Sequence, residues 1–441
     1  MPKRHDQSTL PYREMMRSNR FVLVGLAIAS LSWLVNFKIP LTGDGVYLSF
    51  LVCYMVIPAL IATMLLARLA IYSSSLIALR FLFSSLAITV ILRKFGFSDE
   101  VSFEHLTEFP WVSIVKLVLV VLSFMATNEI LSRGKVSVEG ILKIFAISMT
   151  LSMVKYYFDS INMIMDLSVA TQNEFRPYPE WIGGWNSYAF LLSIFFLVIY
   201  HGFFSKGLIR LLLLAAVLLT ILSTLSRAGL GALVLVMVLD FVATLRSHRI
   251  KKEKSFIAKF YFWVLCGSIT MLLAAKSDLL VDRFLLSFME SQYEGVDLMQ
   301  SITSGRTVQW MDAITKLLDS NHYFQWFWGY GIGHYAWGNI IEDVLRVETE
   351  MHNQYLLFFY EYGLIIGAVL SFLLLRSPFL LSWRSVVPSE RLARSILTIY
   401  VISSFVEGFI YTTQVGWILG LFGAIIFRTY QQQQLSKIGI A

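Results

Sequence analysis

A histidine stands at the start of an apolar segment, where a side chain is close to water and still partly shielded. His352 comes directly before Asn353 and the apolar run that begins at Gln354. An imidazole has an unperturbed pKa of about 6.5, so it can accept or donate a proton near neutral pH. These properties make His352 the first candidate for a general base, and His322 and His334, in the preceding polar stretch, are reserve candidates.

Arginines supply the second kind of chemistry. Arg176, Arg227 and Arg306 each lie in a segment that the charge pattern below places on the outer side. A planar guanidinium pairs bidentately with phosphate oxygens and stays charged at any relevant pH. For Arg176 and Arg227, snorkelling to lipid head groups is the alternative interpretation. Together, a base and these guanidinium groups suit the transfer of a group away from a departing diphosphate.

The sequence predicts no metal and no cofactor for this chemistry. It contains no Asp-x-Asp pair, and Glu348-Thr349-Glu350 lies in an acidic stretch where solvation is expected. Cys53 and Cys266 both fall within apolar runs, which indicates neither a disulfide framework nor a thiolate metal site.

The elements that must position these residues are membrane helices. Hydrophobic residues make up 57% of the 441 residues, and the mean hydropathy is +0.67. Repeated apolar runs of about 20 residues can each cross roughly 30 Å of hydrocarbon. We therefore expect an all-α, polytopic integral membrane protein with about twelve transmembrane helices. The net charge of +7 reflects membrane orientation and not nucleic-acid binding, because Lys and Arg fall mostly in short segments between spans.

The twelve expected spans divide the chain into three parts. Residues 1–275 form an N-terminal bundle of about nine spans, residues 276–351 a large, partly helical loop, and residues 352–441 the C-terminal spans. Met1–Arg20 is basic and precedes the first span, as in an uncleaved signal anchor. The expected spans are Phe21–Ile39, Tyr47–Leu66, Ser74–Leu92, Trp111–Leu131, Gly140–Phe158, Tyr188–Phe204, Leu208–Leu225, Leu230–Leu245, Phe256–Ala275, Gln354–Leu375, Ser395–Phe409 and Gly416–Phe427.

Charge in the connecting segments predicts the orientation. Basic residues collect in Ser132–Lys135, Arg246–Lys254 and Arg376–Arg394, which fall on the same side as the N-terminus. On the other side, residues 95–110, residues 159–179 and the large loop carry more acidic than basic residues, whereas the short hairpin with Arg227 goes against this trend. By the positive-inside rule both termini are cytoplasmic, and the large loop faces outward.

Two features of the large loop carry structural predictions. Residues 306–318 have helical spacing, so Val308, Met311, Ile314, Leu317 and Leu318 would share the apolar face of a helix lying on the outer surface of the bundle. Ser304 could cap that helix, and its amino end together with Arg306 could bind an anion. The stretch Trp326–Tyr335 combines glycines suited to a tight turn with aromatics suited to sugar faces or, as composition favours, to the membrane interface. In the following span, Gly363 and Gly367 are spaced for close packing against another span.

Several of these motifs resemble the O-antigen ligase and polymerase superfamily, which joins lipid-linked glycans at the outer face of the bacterial inner membrane. The resemblance covers roughly residues 176–367 and rests on four motifs in order: Gly183–Ala189, Ser226-Arg227-Ala228-Gly229, Gly329–Gly333, and His352-Asn353 followed by Gly363. One departure is Trp185, which stands where the family often has proline before the residue matching Asn186.

The resemblance implies a GT-C-like membrane fold and a division of roles among the residues. His352 would be the catalytic base, and Arg227, Arg306 and Arg176 would bind the diphosphate of an undecaprenyl-diphosphate-linked glycan. Supporting positions would be Asn353, Ser226, Asn186 and Gly363. Direct displacement at the anomeric carbon predicts inversion without a metal ion.

The acceptor remains open between two alternatives. A surface-polysaccharide polymerase would use another lipid-linked repeat, whereas a ligase would use lipid A-core. The polymerase is favoured because nothing in the loop indicates a lipid A-core site, and a chain-length regulator is a candidate partner. A transporter or lipid flippase is the alternative of another class, since Lys155, Asp240, Glu361 and Glu407 lie within or near spans. The transporter alternative does not explain why several arginines and His352 are predicted on the outer side.

Overall fold

The described part of the chain is helical apart from one small strand pair. A computed structural model describes residues 38–39, 46–47, 77–78, 80, 82–87, 111–132, 136–164, 185–224, 226–246, 267, 310–311, 313–315, 318, 323–331, 353–383, 385, 387–409 and 413–438. Two-residue strands, β1 (Lys38–Ile39) and β2 (Val46–Tyr47), pair antiparallel. Apart from this strand pair, the all-α prediction is confirmed for the described residues. At the strand pair it is wrong, because there the sequence predicted the ends of two membrane helices.

Within the described residues, nine helices have defined bounds: α1 (Trp111–Ser132), α2 (Val138–Ile164), α3 (Trp185–Tyr200), α4 (Gly207–Ser223), α5 (Arg227–Arg246), α6 (Tyr323–Trp328), α7 (Gln354–Arg376), α8 (Pro388–Ser403) and α9 (Thr413–Lys437). A short 3-10 helix, Ser377–Leu380, follows α7. Residues 82–87 are also helical, within the span expected at 74–92.

Every expected span from residue 111 onward that the structure describes as a whole coincides with one of these helices. The largest boundary difference concerns α9, which ends at Lys437, ten residues beyond the expected Phe427. The next largest concerns α8, which begins at Pro388 and ends at Ser403, whereas the span was expected at Ser395–Phe409. Proline is favoured at the first helical position because its fixed φ suits the helix, and its missing N–H has no helical partner there in any case. The expected spans at 21–39, 47–66 and 256–275 lie almost entirely outside the described residues.

Length and composition single out one membrane-span candidate among the described helices. The continuous helical segment Gln354–Leu380 has 27 residues and a mean hydropathy of 1.9 in its most apolar window. Shorter apolar helices cover Asn186–Tyr200, Gly207–Ser223 and Ala228–Ala243.

The described core is arranged around α3. All residues from 187 to 200 are buried, and the helix packs against α2, α4, α5 and α8. A helix that is apolar on every side must be enclosed by other helices or by lipid. This central position explains why α3 needs no amphipathic pattern, and it places the N-terminal end of α3 between α5 and α8.

A second contact brings the C-terminal helix onto α1. Gly420 of α9 lies against the backbone carbonyl of Val120, and a Cβ atom added at Gly420 would lie 2.8 Å from the backbone nitrogen of Phe124. Since any side chain here would collide with backbone atoms, the glycine is what permits the close crossing of α1 and α9.

At one end of the α5–α8 pair, an aspartate is held by two arginines. The Asp240 carboxylate is 2.6 Å from Arg391 Nη2 and 3.1 Å from Arg394 Nη2. Arg394 also donates to the carbonyl of Ser382 at 2.9 Å, and its guanidinium lies over the Trp383 ring at 4.6 Å. We call Asp240, Arg391 and Arg394 the ion cluster. Because Asp240 and Arg394 are almost completely buried, the cluster fixes these helices to each other at the end predicted to be cytoplasmic.

Candidate functional site

Ser226 caps the start of α5 and at the same time reaches α3. The Gly229 amide donates to Ser226 Oγ at 3.1 Å, and the Leu230 amide donates to the Ser226 carbonyl at 3.1 Å. Ser226 Oγ donates in turn to Asn186 Oδ1 at 2.7 Å. A serine at this position satisfies one of the amide donors that a helix start leaves unpaired. The cap also makes Arg227 the first residue of α5.

Gly229 explains why Ser226 and Asn186 can meet. A Cβ atom added at Gly229 would lie only 2.6 Å from the Cβ atom of Ala189. The absence of a side chain therefore lets α5 approach α3 within one turn of the cap. The family-like Ser-Arg-Ala-Gly sequence thus has a local structural reason for its serine and its glycine.

Asn186 passes the connection on to a buried carboxylate. Its Nδ2 donates to Glu407 Oε2 at 2.9 Å, across 221 residues of sequence, and Glu407 is 6% exposed. Glu407 lies in the turn that follows α8, residues 404–407. The sequence offered Glu407 only as an ionisable residue near a span end, so its role beside Asn186 was missed.

The same turn receives the start of α7. The Gln354 amide donates to the Ser404 carbonyl at 2.8 Å, and Asn353 Nδ2 donates to the Phe405 carbonyl at 3.1 Å. Asn353 Oδ1 accepts from the amides of Tyr355 and Leu356 at 3.0 and 3.1 Å, which makes Asn353 the N-cap of α7. One asparagine therefore both starts the helix and fixes it to the turn.

Three of the predicted supporting residues thus meet around one turn. Ser226, Asn186 and Asn353, together with Glu407 and the 404–407 turn, form what we call the outer network. Its members come from three separate motifs and lie at the end predicted to face outward. The sequence predicted the importance of these residues but not their hydrogen bonds to one another.

The residues predicted to carry out the chemistry are not described at side-chain level. Arg227 is described only as the first residue of α5, and its side chain lies outside the described residues. His352, Arg306, Arg176, His322 and His334 also lie outside them. The meeting of an imidazole and guanidinium groups in one pocket therefore stays a prediction.

Gly363 lies apart from the outer network, at a break in α7. Its φ of 75° and ψ of 177° interrupt the helix, and its backbone contacts the carbonyl of Phe327 in α6. A Cβ atom added at Gly367 would lie 2.7 Å from the Phe358 carbonyl oxygen, which belongs to the first part of α7. Among the described residues, the close contacts of this glycine pair are with the outer loop and with the first part of α7, and its expected packing against another span stays a prediction. The pair allows α7 to bend and accept the outer loop.

The expected loop helix is present where it is described, but it turns a different face inward. Residues 310–311, 313–315 and 318 are helical. Ala313 is buried, whereas Met311 and Leu318, both assigned to the apolar face, are 60% and 54% exposed. Ala313 belongs to the same buried cluster as Leu357 and Phe358 of α7, whereas the larger Met311 and Leu318 remain outside it.

The chain matches no protein-family model and no curated protein sequence.

Proposed function

We propose that this protein is a glycosyltransferase of the bacterial inner membrane that acts at the periplasmic face. It would transfer a glycan from undecaprenyl diphosphate to a sugar hydroxyl. The observation that supports this most is the outer network, in which Ser226, Asn186 and Asn353 are hydrogen-bonded through the 404–407 turn. Consecutive Cα atoms are about 3.8 Å apart, so the network limits how far Arg227 and His352 can stand from it.

The membrane part of the proposal is a GT-C-like bundle of about twelve spans with both termini cytoplasmic. Its support is the number of large apolar side chains that the described helices expose: Ile147, Leu151, Val154, Leu208, Leu212, Leu219, Val234, Leu235, Val238, Val369, Phe372 and Leu373. Water-soluble monomers rarely expose apolar surface on that scale, whereas lipid tails would cover it. The grouping of predicted outer residues in one network and of predicted inner residues in the ion cluster agrees with the proposed orientation.

The proposed reaction is a direct displacement. His352 takes the proton of the acceptor hydroxyl, and the hydroxyl oxygen forms a bond to the anomeric carbon of the donor. The bond from that carbon to the diphosphate oxygen breaks, and undecaprenyl diphosphate leaves with the electron pair. Arg227, Arg306 and Arg176 would neutralise the charge that develops on the diphosphate. Because attack and departure occur on opposite faces of the carbon, the product is inverted.

The role of the outer network in this reaction is to hold two segments in one arrangement. Ser226 fixes the first turn of α5, which carries Arg227, and Asn353 fixes the first turn of α7, which follows His352. A displacement of about 1 Å in a reacting group can lower a rate by about a hundredfold. Hydrogen bonds that connect both segments to the same turn therefore suit a site that must align base and cations.

We favour a polymerase over a ligase. The two activities differ in the acceptor, which is another lipid-linked repeat for a polymerase and lipid A-core for a ligase. The test uses purified full-length protein in lipid nanodiscs and a defined undecaprenyl-diphosphate-linked repeat, with and without lipid A-core. Joining of two repeats without lipid A-core indicates a polymerase. A product that forms only with lipid A-core indicates a ligase.

Two variants test the proposed chemistry itself. His352→Ala should abolish product formation. The matched control is His201→Ala, directly after α3 and at the end of that helix far from the outer network, and it should leave product formation unchanged. Full transfer by His352→Ala, or a product that keeps the anomeric configuration of the donor, would overturn the mechanism. Movement of the lipid-linked repeat across the bilayer without bond formation would favour the transporter instead.

A further inference from the structure

The outer loop is fastened to the break in α7 by backbone contacts, and we call this junction the clasp. The amides of Tyr330 and Gly331 donate to the carbonyls of Tyr360 and Glu361 at 2.9 and 3.0 Å. The break at Gly363 leaves these carbonyls without their usual helical partners, and the loop amides take that place. The Tyr330 and Tyr360 rings stack with centroids 4.6 Å apart.

The clasp sets the position of the short helix α6, which ends immediately before it. Gly329 has a φ of 75°, and a Cβ atom added there would lie 2.5 Å from the Glu361 carbonyl oxygen. Phe327 contacts Gly363 through its carbonyl, while its side chain and that of Trp328 are 49% and 43% exposed. The sequence of α6, Tyr-Phe-Gln-Trp-Phe-Trp, carries no charge. Two large aromatic side chains are therefore held outward at the clasp.

Burial along α7 changes at the same point. Before Gly363, the side chains of Leu357, Phe358, Tyr360 and Tyr362 are buried. After it, those of Leu364, Ile365, Val369 and Phe372 are half exposed or more. The exposed apolar face of α7 therefore begins at the residue next to the one that Phe327 contacts. The aromatic pair of α6 stands at the outer edge of that face and continues it.

We propose that Phe327 and Trp328 insert into the interface of the outer lipid leaflet and that this contact places Gly363 at the membrane boundary. The proposal rests on the membrane placement in the proposed function. Trp and Phe with an apolar body favour this depth, and Trp adds an indole N–H that can face head groups. The continuous exposed face of Leu364, Ile365, Val369 and Phe372 identifies lipid, and not a sugar, as the occupant, because glycan sites need polar partners beside their aromatic surfaces.

The inference changes where α7 enters the membrane. The lipid-facing part begins at Leu364 instead of Gln354. From there to Arg376, where the basic segment predicted to be cytoplasmic begins, the helix covers roughly 20 Å, so the bilayer beside this helix would be thinner than its usual ~30 Å. The segment from Gln354 to Tyr362 stands above it, enclosed by protein. The bilayer surface, the clasp and the outer network would then together set the height of the segment that follows His352.

The test measures depth with a fluorophore at three positions. The full-length chain with Cys53→Ser and Cys266→Ser receives one cysteine, Trp328→Cys, Phe372→Cys or Ile438→Cys, and each is labelled with an environment-sensitive dye. The proteins are reconstituted in phosphatidylcholine vesicles with bromine near the head-group end or near the methyl end of the acyl chains. Phe372 represents the lipid-facing part of α7, and Ile438 is an exposed position just beyond α9.

The expected pattern is strongest quenching of the dye at 328 by bromine near the head groups and of the dye at 372 by bromine near the chain ends, with no quenching at 438. A dye at 328 that behaves like the one at 438 would overturn the proposal and leave a water-facing or glycan-facing surface. A dye at 328 that is quenched as deeply as the one at 372 would overturn the boundary at Gly363. Absence of quenching at 372 would refute the membrane placement itself, a separate failure from a wrong depth for α6.

Discussion

The two ends of the α5–α8 pair hold the same helices in different ways. At the end predicted to be cytoplasmic, the buried Asp240 carboxylate forms ion pairs with the guanidinium groups of Arg391 and Arg394. At the end predicted to face outward, Ser226 donates to Asn186, and Asn186 donates to the Glu407 carboxylate. Besides joining these two helices, the ion cluster contacts Ser382 and Trp383 in the segment before α8. The outer contacts continue into the segments that carry Arg227 and Asn353.

This difference separates a structural role from a functional one. Removing one partner of a buried ion pair typically costs about 3–5 kcal/mol because the remaining charge is left uncompensated. Removing one partner of a buried side-chain hydrogen bond costs about 1–3 kcal/mol. Damage at the ion cluster should therefore appear mainly as lost stability. Damage at the outer network should appear mainly as lost transfer activity, since a small displacement of the reacting groups lowers the rate strongly while the loss of one hydrogen bond lowers stability only a little.

The largest effect is expected from Asp240→Ala, which removes the shared partner of both arginines. The free energy of unfolding should fall by about 3–5 kcal/mol, and the purified protein should unfold at a clearly lower temperature in detergent. The matched control is Glu139→Ala, which breaks an exposed pair with Lys143 and should leave the unfolding temperature unchanged. Equal unfolding temperatures for Asp240→Ala and the unaltered protein would contradict the structural role of the ion cluster.

A second large effect is expected from Gly329→Ala at the clasp. A positive φ and the contact with the Glu361 carbonyl oxygen both oppose a side chain there, so the clasp should open and glycan transfer should fall at least tenfold. Gly231→Ala is the control, because a Cβ atom at Gly231 meets nothing within 4 Å and alanine favours the helix. The measurement is the rate of glycan transfer by each of the two variants. Unchanged transfer by Gly329→Ala would show that the clasp does not support the site.

Glu407 tests the outer network directly. Glu407→Ala removes the acceptor for Asn186 Nδ2 and should lower kcat about tenfold or more, with a smaller change in unfolding temperature than Asp240→Ala causes. Glu407→Gln keeps a side-chain oxygen for Asn186 and should recover part of kcat. A double-mutant cycle with Asn186→Ala measures the coupling. Strictly additive effects of the two changes would show that the hydrogen bond between them contributes nothing to transfer.

The contrast between the two ends also shows what the sequence can predict. Apolar runs located the described helices from residue 111 onward except α6, because each of these runs is long enough for a helix, whereas α6 has only six residues. Asn353 was predicted near a helix start, where a short polar side chain can cap free amides. The hydrogen bond from Asn186 to Glu407 could not be predicted, since a contact across 221 residues depends on how α3 and α8 pack and not on local spacing.

Gly363 shows a different limit of sequence reasoning. A glycine four residues before another glycine is compatible both with close helix packing and with a broken helix. Which of the two occurs is decided by Tyr330 and Gly331, whose amides bind the carbonyls that the break releases. The two segments are about thirty residues apart, and no local pattern connects them. The same reason explains why Ala313, and not the larger Met311, became the buried residue of the loop helix.

The smallest change in stability is expected at Asn353. Variants of this residue also separate its capping of α7 from its hydrogen bond to the 404–407 turn. Its Oδ1 caps α7 while its Nδ2 donates to the Phe405 carbonyl, so one side chain performs two tasks. Asn353→Asp keeps the capping oxygen but places a second carboxylate oxygen against that carbonyl, whereas Asn353→Ala loses both contacts. A lost N-cap costs about 1 kcal/mol, so Asn353→Ala should lower the unfolding temperature slightly.

If docking to the 404–407 turn aligns the start of α7, Asn353→Asp should lose several-fold in kcat while its unfolding temperature stays close to that of the unaltered protein. Ser137 provides the matched control at the other end of the bundle, because it caps the start of α2 through the Gly140 amide at 3.1 Å and has no part in the outer network. Ser137→Ala should lower stability as Asn353→Ala does and leave kcat unchanged. Equal kcat values for Asn353→Asp and Ser137→Ala would reduce Asn353 to a helix cap and would leave the outer network without a connection to the residue that precedes it.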